Sequence, residues 1–186
     1  MTKPGVPVRV SVAALLISLA TWYSYTIPME HLTSRATQNE DTLAGRFAGR
    51  VILSMRGCYD RKYEMTTLQL VMAGHNQDYA DNGKVLRLAQ ALIDKGCDPD
   101  QQAELGWAPL HMAVFERNID LIKFLVANGA DPTLPIGGPE VDRNGRVDRF
   151  HGKTSIDLAN EEIFMQEGGA SRAQLLHALN VNRVGT

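Results

Sequence analysis

Cysteine is scarce in this chain, whose 186 residues include only Cys58 and Cys97. Disulfide-rich folds need several bridges and structural zinc sites need a full set of Cys or His ligands, so neither class is expected. An excess of positive charge is also lacking, because 19 Lys and Arg stand against 21 Asp and Glu and the formal net charge is −2. A nucleic-acid partner, which a basic surface attracts, is therefore not expected.

Sequence motifs that carry chemistry are missing as well. The chain has no nucleophile elbow, no His-x-x-x-His pair and no paired-carboxylate signature, and its glycine-rich segment 136–139 lacks the Lys and Ser/Thr of a phosphate loop. No metal-ligand spacing relates the histidines, which are His31, His75, His111, His151 and His177. The sequence thus predicts a protein that is not an enzyme and takes no metal, cofactor or small-molecule substrate.

One long uncharged run lies at the N-terminus. After Lys3 and Arg9, no charged side chain occurs in 10–29. Positive charge before an apolar run keeps the N-terminus inside and directs the rest of the chain outside. We therefore predict that 1–29 is a signal peptide or membrane anchor, and that the remainder lies in a bacterial periplasm.

Cleavage of this segment remains open. Ser18 and Ala20 form an acceptable cleavage site, whereas Trp22 and Tyr23 directly after it are typical of the interfacial ring of an uncleaved anchor. We favour an anchor that contacts the inner membrane. A run of about 20 residues also fits a buried helix of a soluble protein, the third interpretation.

Glycine-ended exits recur along the rest of the chain, at 56–60 (RGCYD), 95–99 (KGCDP) and 128–132 (NGADP). An apolar-periodic stretch precedes each of the last two, as expected for a helix with one buried face. Gly129 supplies the left-handed residue that ends the second helix, and Pro132 prevents its continuation.

The stretch 106–132 resembles an ankyrin repeat. The matching residues are Gly106, Pro109, Leu110, His111, Ala113, Leu125, Gly129, Ala130 and Asp131. Ala108 departs from the usual Thr and Asn118 from the usual Gly. We interpret His111 as the structural histidine of the repeat, bonded to backbone in the adjacent turn.

The resemblance implies an all-α, ankyrin-type α-solenoid of about three repeats, the minimum for a stable stack. We place a linker and capping helix in 30–62, with the helix at about 38–56, and the repeat domain in 63–186. Its repeats are expected at 63–97, 106–132 and 152–180. The predicted core is Leu68, Val71, Leu88, Leu92, Leu110, Ala113, Leu121, Leu125, Ile156 and Leu175.

An insertion separates the last two repeats. Its sequence VDR-NG-RVDR places Asn144 and Gly145 between matching arms, and Asn-Gly is the strongest signal for a two-residue hairpin turn. We predict a two-stranded finger over about 135–150. An isolated hairpin is marginally stable, so contact with a partner is favoured over an idle solvated loop.

The predicted partner-binding residues combine this finger with the inner helical face. They are Trp107, Met112, Phe115, Glu116, Arg143, Asn144, Arg146, Asp148, Arg149 and Phe150. Aromatic and Arg side chains are the usual anchors of protein interfaces. The alternative for Met112 and Met72 is a place in the core, where Met fills gaps.

A bond between Cys58 and Cys97 depends on their register. If they occupy equivalent positions in successive units, roughly 8–10 Å separates them, beyond the ~7 Å limit between Cα atoms of a disulfide. The alignment there is weak, so both a bridge and two buried thiols stay open.

The resemblance implies a protein-binding module. The interpretation that we favour is an immunity protein that occludes a bacterial toxin or effector on the periplasmic side of the membrane. The alternative is a membrane-tethered adaptor that assembles an envelope complex.

Overall fold

A computed structural model describes residues 27–55, 57–141, 145, 147–161 and 170–180. These ranges contain eight helices and one two-stranded hairpin. In chain order they are α1 Met29–Thr37, α2 Leu43–Met55, β1 Tyr59–Asp60, β2 Met65–Thr66, α3 Thr67–Met72, α4 Asn82–Asp94, α5 Pro109–Phe115, α6 Ile119–Ala127, α7 Ser155–Asn160 and α8 Arg172–Leu179. Most of the predicted anchor, 1–26, lies outside the described residues. No helix in the described ranges combines the length and apolarity needed to cross a bilayer.

Consecutive helices pack as pairs, and the pairs stack in one row. The pairs are α1 with α2, α3 with α4, α5 with α6, and α7 with α8. The inner helices α3, α5 and α7 contact one another in sequence, while α6 contacts α8 on the outer side. This is the predicted all-α solenoid. It begins with a full helix pair, because α1 forms in the stretch expected to be linker and buries Met29 and Leu32 in the core.

The hydrophobic core agrees closely with the predicted core residues. All but one of the predicted core residues are buried, and they form one continuous cluster with further apolar residues of the same helices. The exception is Ile156, which is half-buried, while Leu158 and Ala159 of the same helix are fully buried. Ile156 lies on α7, in the last helix pair of the stack, where no further helix pair covers it within the described residues.

Local sequence explains where the helices begin and end. Asp81 caps α4 by accepting the backbone N–H of Lys84, and Thr66 caps α3 by accepting that of Gln69. Gly96 and Gly129 follow the outer helices with φ of 101° and 91°, the left-handed conformation that ends a helix. The predicted role of Gly129 is confirmed.

The turn between α5 and α6 differs from the expected pattern. Its left-handed residue is Arg117, with φ of 55°, and not Asn118, where we expected the glycine. Backbone hydrogen bonds close this turn, from the N–H of Arg117 to the carbonyl of Val114 and from the N–H of Asn118 to the carbonyl of Ala113. The side chain of Asn118 accepts the N–H of Leu121 and caps α6. Asn118 is therefore a helix cap.

In two inner helices, α3 and α5, the side chain of the third residue hydrogen-bonds to backbone of the following repeat unit. In α5, Nδ1 of His111 accepts the N–H of Ala108 (2.9 Å) and its Nε2 donates to the carbonyl of Leu134 (2.9 Å). In α3, Gln69 does the same: Oε1 accepts the N–H of Thr66, and Nε2 donates to the carbonyl of Trp107 (2.8 Å). The structural interpretation of His111 is confirmed.

Acid is expected to weaken the fold through the buried histidines. Burial lowers the pKa of His111 and of His75 below the ordinary value of about 6.5. The unfolded chain then binds more protons than the folded chain as pH falls, so this stability is complete above about pH 6.5 and declines below it. Denaturant unfolding at pH 7.5 and 5.5 measures the loss, and His111→Gln should show a smaller decrease than the wild type.

The insertion is less regular than the two continuous strands that we predicted. Two isolated antiparallel bridges close it, Pro135 with Thr154 and Val141 with Val147. The two bridges cannot join into one ladder because the N–H of Gly137 bonds to the carbonyl of Gly106 and Pro139 has no N–H. Asp142, Arg143, Asn144 and Arg146 at its tip lie outside the described residues.

Candidate protein-binding groove

Three connecting segments project beside the inner helices. We call them finger 1 (58–66, the β1–β2 hairpin), finger 2 (98–108) and finger 3 (132–154, which holds the insertion). The N–H of Glu104 donates to the carbonyl of Glu64 (3.1 Å), joining fingers 1 and 2. Nε2 of Gln102 donates to the carbonyl of Pro135 (2.7 Å), joining fingers 2 and 3. The fingers therefore form a connected row.

Fingers 2 and 3 approach so closely that only glycine fits at their crossing. Gly106 has φ of 80°, and a Cβ atom there would lie 2.1 Å from the carbonyl carbon of Gly137. A Cβ on Gly138 would lie 2.6 Å from the carbonyl carbon of Leu105. This crossing positions Trp107, the next residue of finger 2, relative to finger 3.

The fingers and inner helices enclose a groove of about 720 Å³. We call it the groove. Its lining residues come from all three fingers and from α3 and α5. They are Tyr63, Glu64, Met65, Gln69, Ala103, Leu105, Trp107, Met112, Phe115, Pro139, Val147, Asp148, Arg149 and Phe150.

Three aromatic rings form the centre of the groove. Trp107 lies 5.5 Å from Phe115 and 5.5 Å from Phe150, measured between ring centroids, and all three rings meet edge to face. The guanidinium of Arg149 lies over the Phe150 ring at 4.6 Å. Rings that brace one another in this way form a rigid apolar surface.

Large apolar side chains are exposed at the rim. Leu105 is 62% exposed and Val147 is 70% exposed, and Phe115 of the aromatic centre beside them is 42% exposed. A contiguous exposed apolar patch of this kind marks interaction surfaces in soluble proteins. The groove thus combines a centre of mutually packed aromatic rings with a solvent-exposed apolar rim.

The structure brings together six of the residues predicted to bind a partner. Trp107, Met112, Phe115, Asp148, Arg149 and Phe150 line the groove. Glu116 follows Phe115 as the C-cap of α5, and its side chain is exposed. Desolvation by the surrounding protein raises the pKa of its carboxyl. Arg143, Asn144 and Arg146 lie outside the described residues. Met72 is buried and belongs to the core.

Sequence reasoning missed the contribution of finger 1 and of the finger rims. Tyr63, Met65, Leu105 and Val147 also line the groove. Leu105 carried a usable signal, because it is a large apolar residue directly before the glycine and tryptophan that open the second repeat.

The chemistry of the groove fits binding of apolar groups. Its charged lining residues are Glu64, Asp148 and Arg149. His111 is buried beneath Trp107, with 6.2 Å between their rings, and its two nitrogens are bonded to backbone. Among the residues that the structure describes, no three His, Cys, Asp or Glu side chains group together as a metal site.

Cys58 and Cys97 form a disulfide, with 5.3 Å between their Cα atoms. Of the two alternatives that the sequence left open, the structure shows the bridge, because the two cysteines do not occupy equivalent positions. Counting back equally from Gln69 and His111 places Cys58 at the position of Asp100, whereas Cys97, after Gly96, corresponds to Ala130, after Gly129. Between the next two units the carboxylate of Asp100 accepts the N–H of Asp131 (2.9 Å). The disulfide thus takes the place of that hydrogen bond.

Comparison with known proteins decides the family. The family model for ankyrin repeats (3 copies) matches residues 54–159, more than half of the chain. The chain belongs to the ankyrin repeat family. Proteins of this family are typically modules that bind other proteins and carry out no reaction.

Two curated ankyrin-containing relatives are similar over shorter stretches. The mitochondrial disaggregase of Bos taurus is 28% identical over 108 residues, which cover 54% of this chain and 16% of the bovine protein. The 2-5A-dependent ribonuclease of Mus musculus is 41% identical over 51 residues, which cover 27% of this chain and 7% of the mouse protein. The matched ankyrin repeat stretches thus span less than a fifth of either relative. No solved structure matches the chain.

Proposed function

We propose that this ankyrin repeat protein binds a partner protein by accepting apolar side chains of that partner in the groove. The observation that carries the proposal is the braced triad Trp107, Phe115 and Phe150 beneath the exposed rim residues Leu105 and Val147. Pre-organised aromatic side chains lose little conformational entropy on binding, and such residues dominate interface energies.

The biological role that we favour is that of an immunity protein. Its fingers would cover the active site of a toxin or effector, so neutralisation needs tight occlusion and no chemistry of its own. We place the repeat domain in the periplasm, held at the inner membrane by the uncharged N-terminal segment. The Cys58–Cys97 disulfide supports this location, because disulfides persist in oxidising compartments.

The alternative role is that of an adaptor in an envelope complex, and the same N-terminal segment supports it. Genetics distinguishes the two roles. Loss of an immunity protein harms the cell only while its toxin is present, and deletion of a neighbouring toxin gene would then remove the phenotype. The phenotype of an adaptor would persist after that deletion.

Charge placed in the rim is expected to weaken partner capture. Leu105→Asp puts a carboxylate where the partner's apolar side chain would exclude water, and we expect capture to weaken by about 30-fold or more. Trp107→Ala should have a similar effect through loss of the central ring. The measurement is affinity capture from membranes of cells that express the full chain, followed by mass spectrometry.

Leu43→Asp is the matched control for this experiment. Leu43 lies on α2, outside the groove, and is 83% exposed. The control should capture the same partner as the wild type. Equal capture by the Leu105→Asp and Leu43→Asp variants would rule out the groove as the binding surface. Arg143→Glu with Arg146→Glu tests the finger tip separately.

A further inference from the structure

The disulfide and the groove share one structural element. Cys58 is the first residue of finger 1, directly before β1, and the tip of finger 1 supplies Tyr63, Glu64 and Met65 to the groove. Cys97 is held in the body of the repeat, where it is 4% exposed and its N–H bonds to the carbonyl of Leu92. The bridge therefore fastens a wall of the groove to the stack.

Apart from the bridge, finger 1 is held by its continuity with α3, where the N–H and hydroxyl of Thr66 bond to Oε1 of Gln69, and by Tyr63, which packs against the core. Its strands are two residues long each, and a two-stranded hairpin of this size is marginally stable by itself in water. The arm that begins at Cys58 is held by the N–H of Thr67, which donates to the Cys58 carbonyl (2.8 Å). The tip is held by the N–H of Glu104, which donates to the Glu64 carbonyl.

The helices behind finger 1 do not depend on the sulfur atoms. Leu68 and Val71 of α3 and Leu88 and Leu92 of α4 are buried in the continuous core. Breaking the bridge removes none of these contacts. Reduction is thus expected to loosen the finger while the stack stays folded.

We propose that the Cys58–Cys97 disulfide is a redox-controlled latch that holds the finger 1 wall of the groove in its binding position. The proposal rests on the proposed function, since it concerns regulation of the same groove. In the oxidised chain the wall is fixed and the groove is formed. In the reduced chain the finger opens and the groove loses Tyr63 and Met65.

The reaction needs a thiol or dithiol reductant. Its thiolate attacks Sγ of half-buried Cys58, the S–S bond breaks, and Cys97 leaves as a thiolate that takes up a proton. A second thiol attacks the mixed disulfide and releases Cys58 as a thiol. Two electrons and two protons pass to the cysteines, and the reductant leaves as its own disulfide.

Amide hydrogen exchange on the full chain tests the latch without any partner. We expect reduction by glutathione to speed exchange of the Thr67 and Glu104 amides by about tenfold or more, since their acceptors lie on finger 1. The amides of Asn118 and Ala130, in the next repeat, should be unchanged. Unchanged exchange at Thr67 and Glu104 would overturn the latch. Faster exchange at all four sites would overturn it too, because the bridge would then hold the whole fold.

Cys58→Asp with Cys97→Ala is the matched variant. The variant carries the residues found at the corresponding positions one repeat further on, Asp100 and Ala130. There the carboxylate of Asp100 accepts the N–H of Asp131. The carboxylate introduced at position 58 can accept the N–H of Asp98 in the same way. We expect exchange at Thr67 and Glu104 to stay slow with or without glutathione. A glutathione effect on this variant, which has no thiol, would overturn the latch. If the capture experiment fails while exchange at Thr67 and Glu104 responds to glutathione as expected, only the proposed function is overturned.

Discussion

Gly106→Ala is expected to lower the free energy of unfolding by about 3–4 kcal/mol, near the upper end for single substitutions. Two effects add at this position. The φ of 80° is unfavourable for any residue with a Cβ, and the new Cβ would lie 2.1 Å from the carbonyl carbon of Gly137. Because the obstacle is backbone, finger 3 must move. Thermal unfolding should show a decrease in Tm on the order of 10 °C.

Gly129→Ala separates the two effects. Gly129 has φ of 91°, but a Cβ there would meet nothing within 4 Å. We expect a loss of about 1–2 kcal/mol, the cost of the left-handed conformation alone. Equal losses for the two variants would show that the close approach of fingers 2 and 3 contributes nothing. Gly106→Ala should also weaken partner capture, because finger 3 carries Phe150.

His111→Ala is expected to lower the free energy of unfolding by about 3 kcal/mol. The substitution leaves the N–H of Ala108 and the carbonyl of Leu134 without their present partners. It also removes a ring that is 1% exposed in the core. Denaturant unfolding at pH 7.5, where the native histidine is neutral, measures the loss.

His111→Gln is the conservative counterpart. Gln69 occupies the same position in α3 and makes both corresponding hydrogen bonds. We expect His111→Gln to lose about 1 kcal/mol or less. A loss as large as that of His111→Ala would mean that the ring's packing, rather than its two hydrogen bonds, stabilises the joint between the repeats.

Local sequence signals predicted the stack well. The helix starts, the glycine-ended exits and the buried face depend on contacts within a few residues, so periodicity around Leu110 and Leu125 located them. His111 could be assigned because it lies within the segment 106–132 that matches the ankyrin motif, where it corresponds to the structural histidine of the repeat. Ile156 was placed less well, since its burial depends on whether another pair follows.

The groove could not be predicted from sequence periodicity, because it depends on contacts between segments that are distant in sequence. Trp107, Phe115 and Phe150 were predicted as separate anchors, but their mutual packing depends on the Gly106–Gly137 crossing, which joins segments distant in sequence. Tyr63 and Met65 were missed because finger 1 reaches the groove only through stacking. The disulfide was left open because the register of Cys58 could not be fixed until Gln69 and His111 had been matched.

The forward hydrogen bonds also make the array directional. Gln69 and His111 each combine an acceptor for their own helix start with a donor for the following unit. Asp157, at the same position in α7, accepts the N–H and hydroxyl of Thr154, and these bonds lower the pKa of its carboxyl, so at neutral pH it has no proton to donate. A designer who wished to lengthen the protein beyond α8 would therefore begin with Asp157→His.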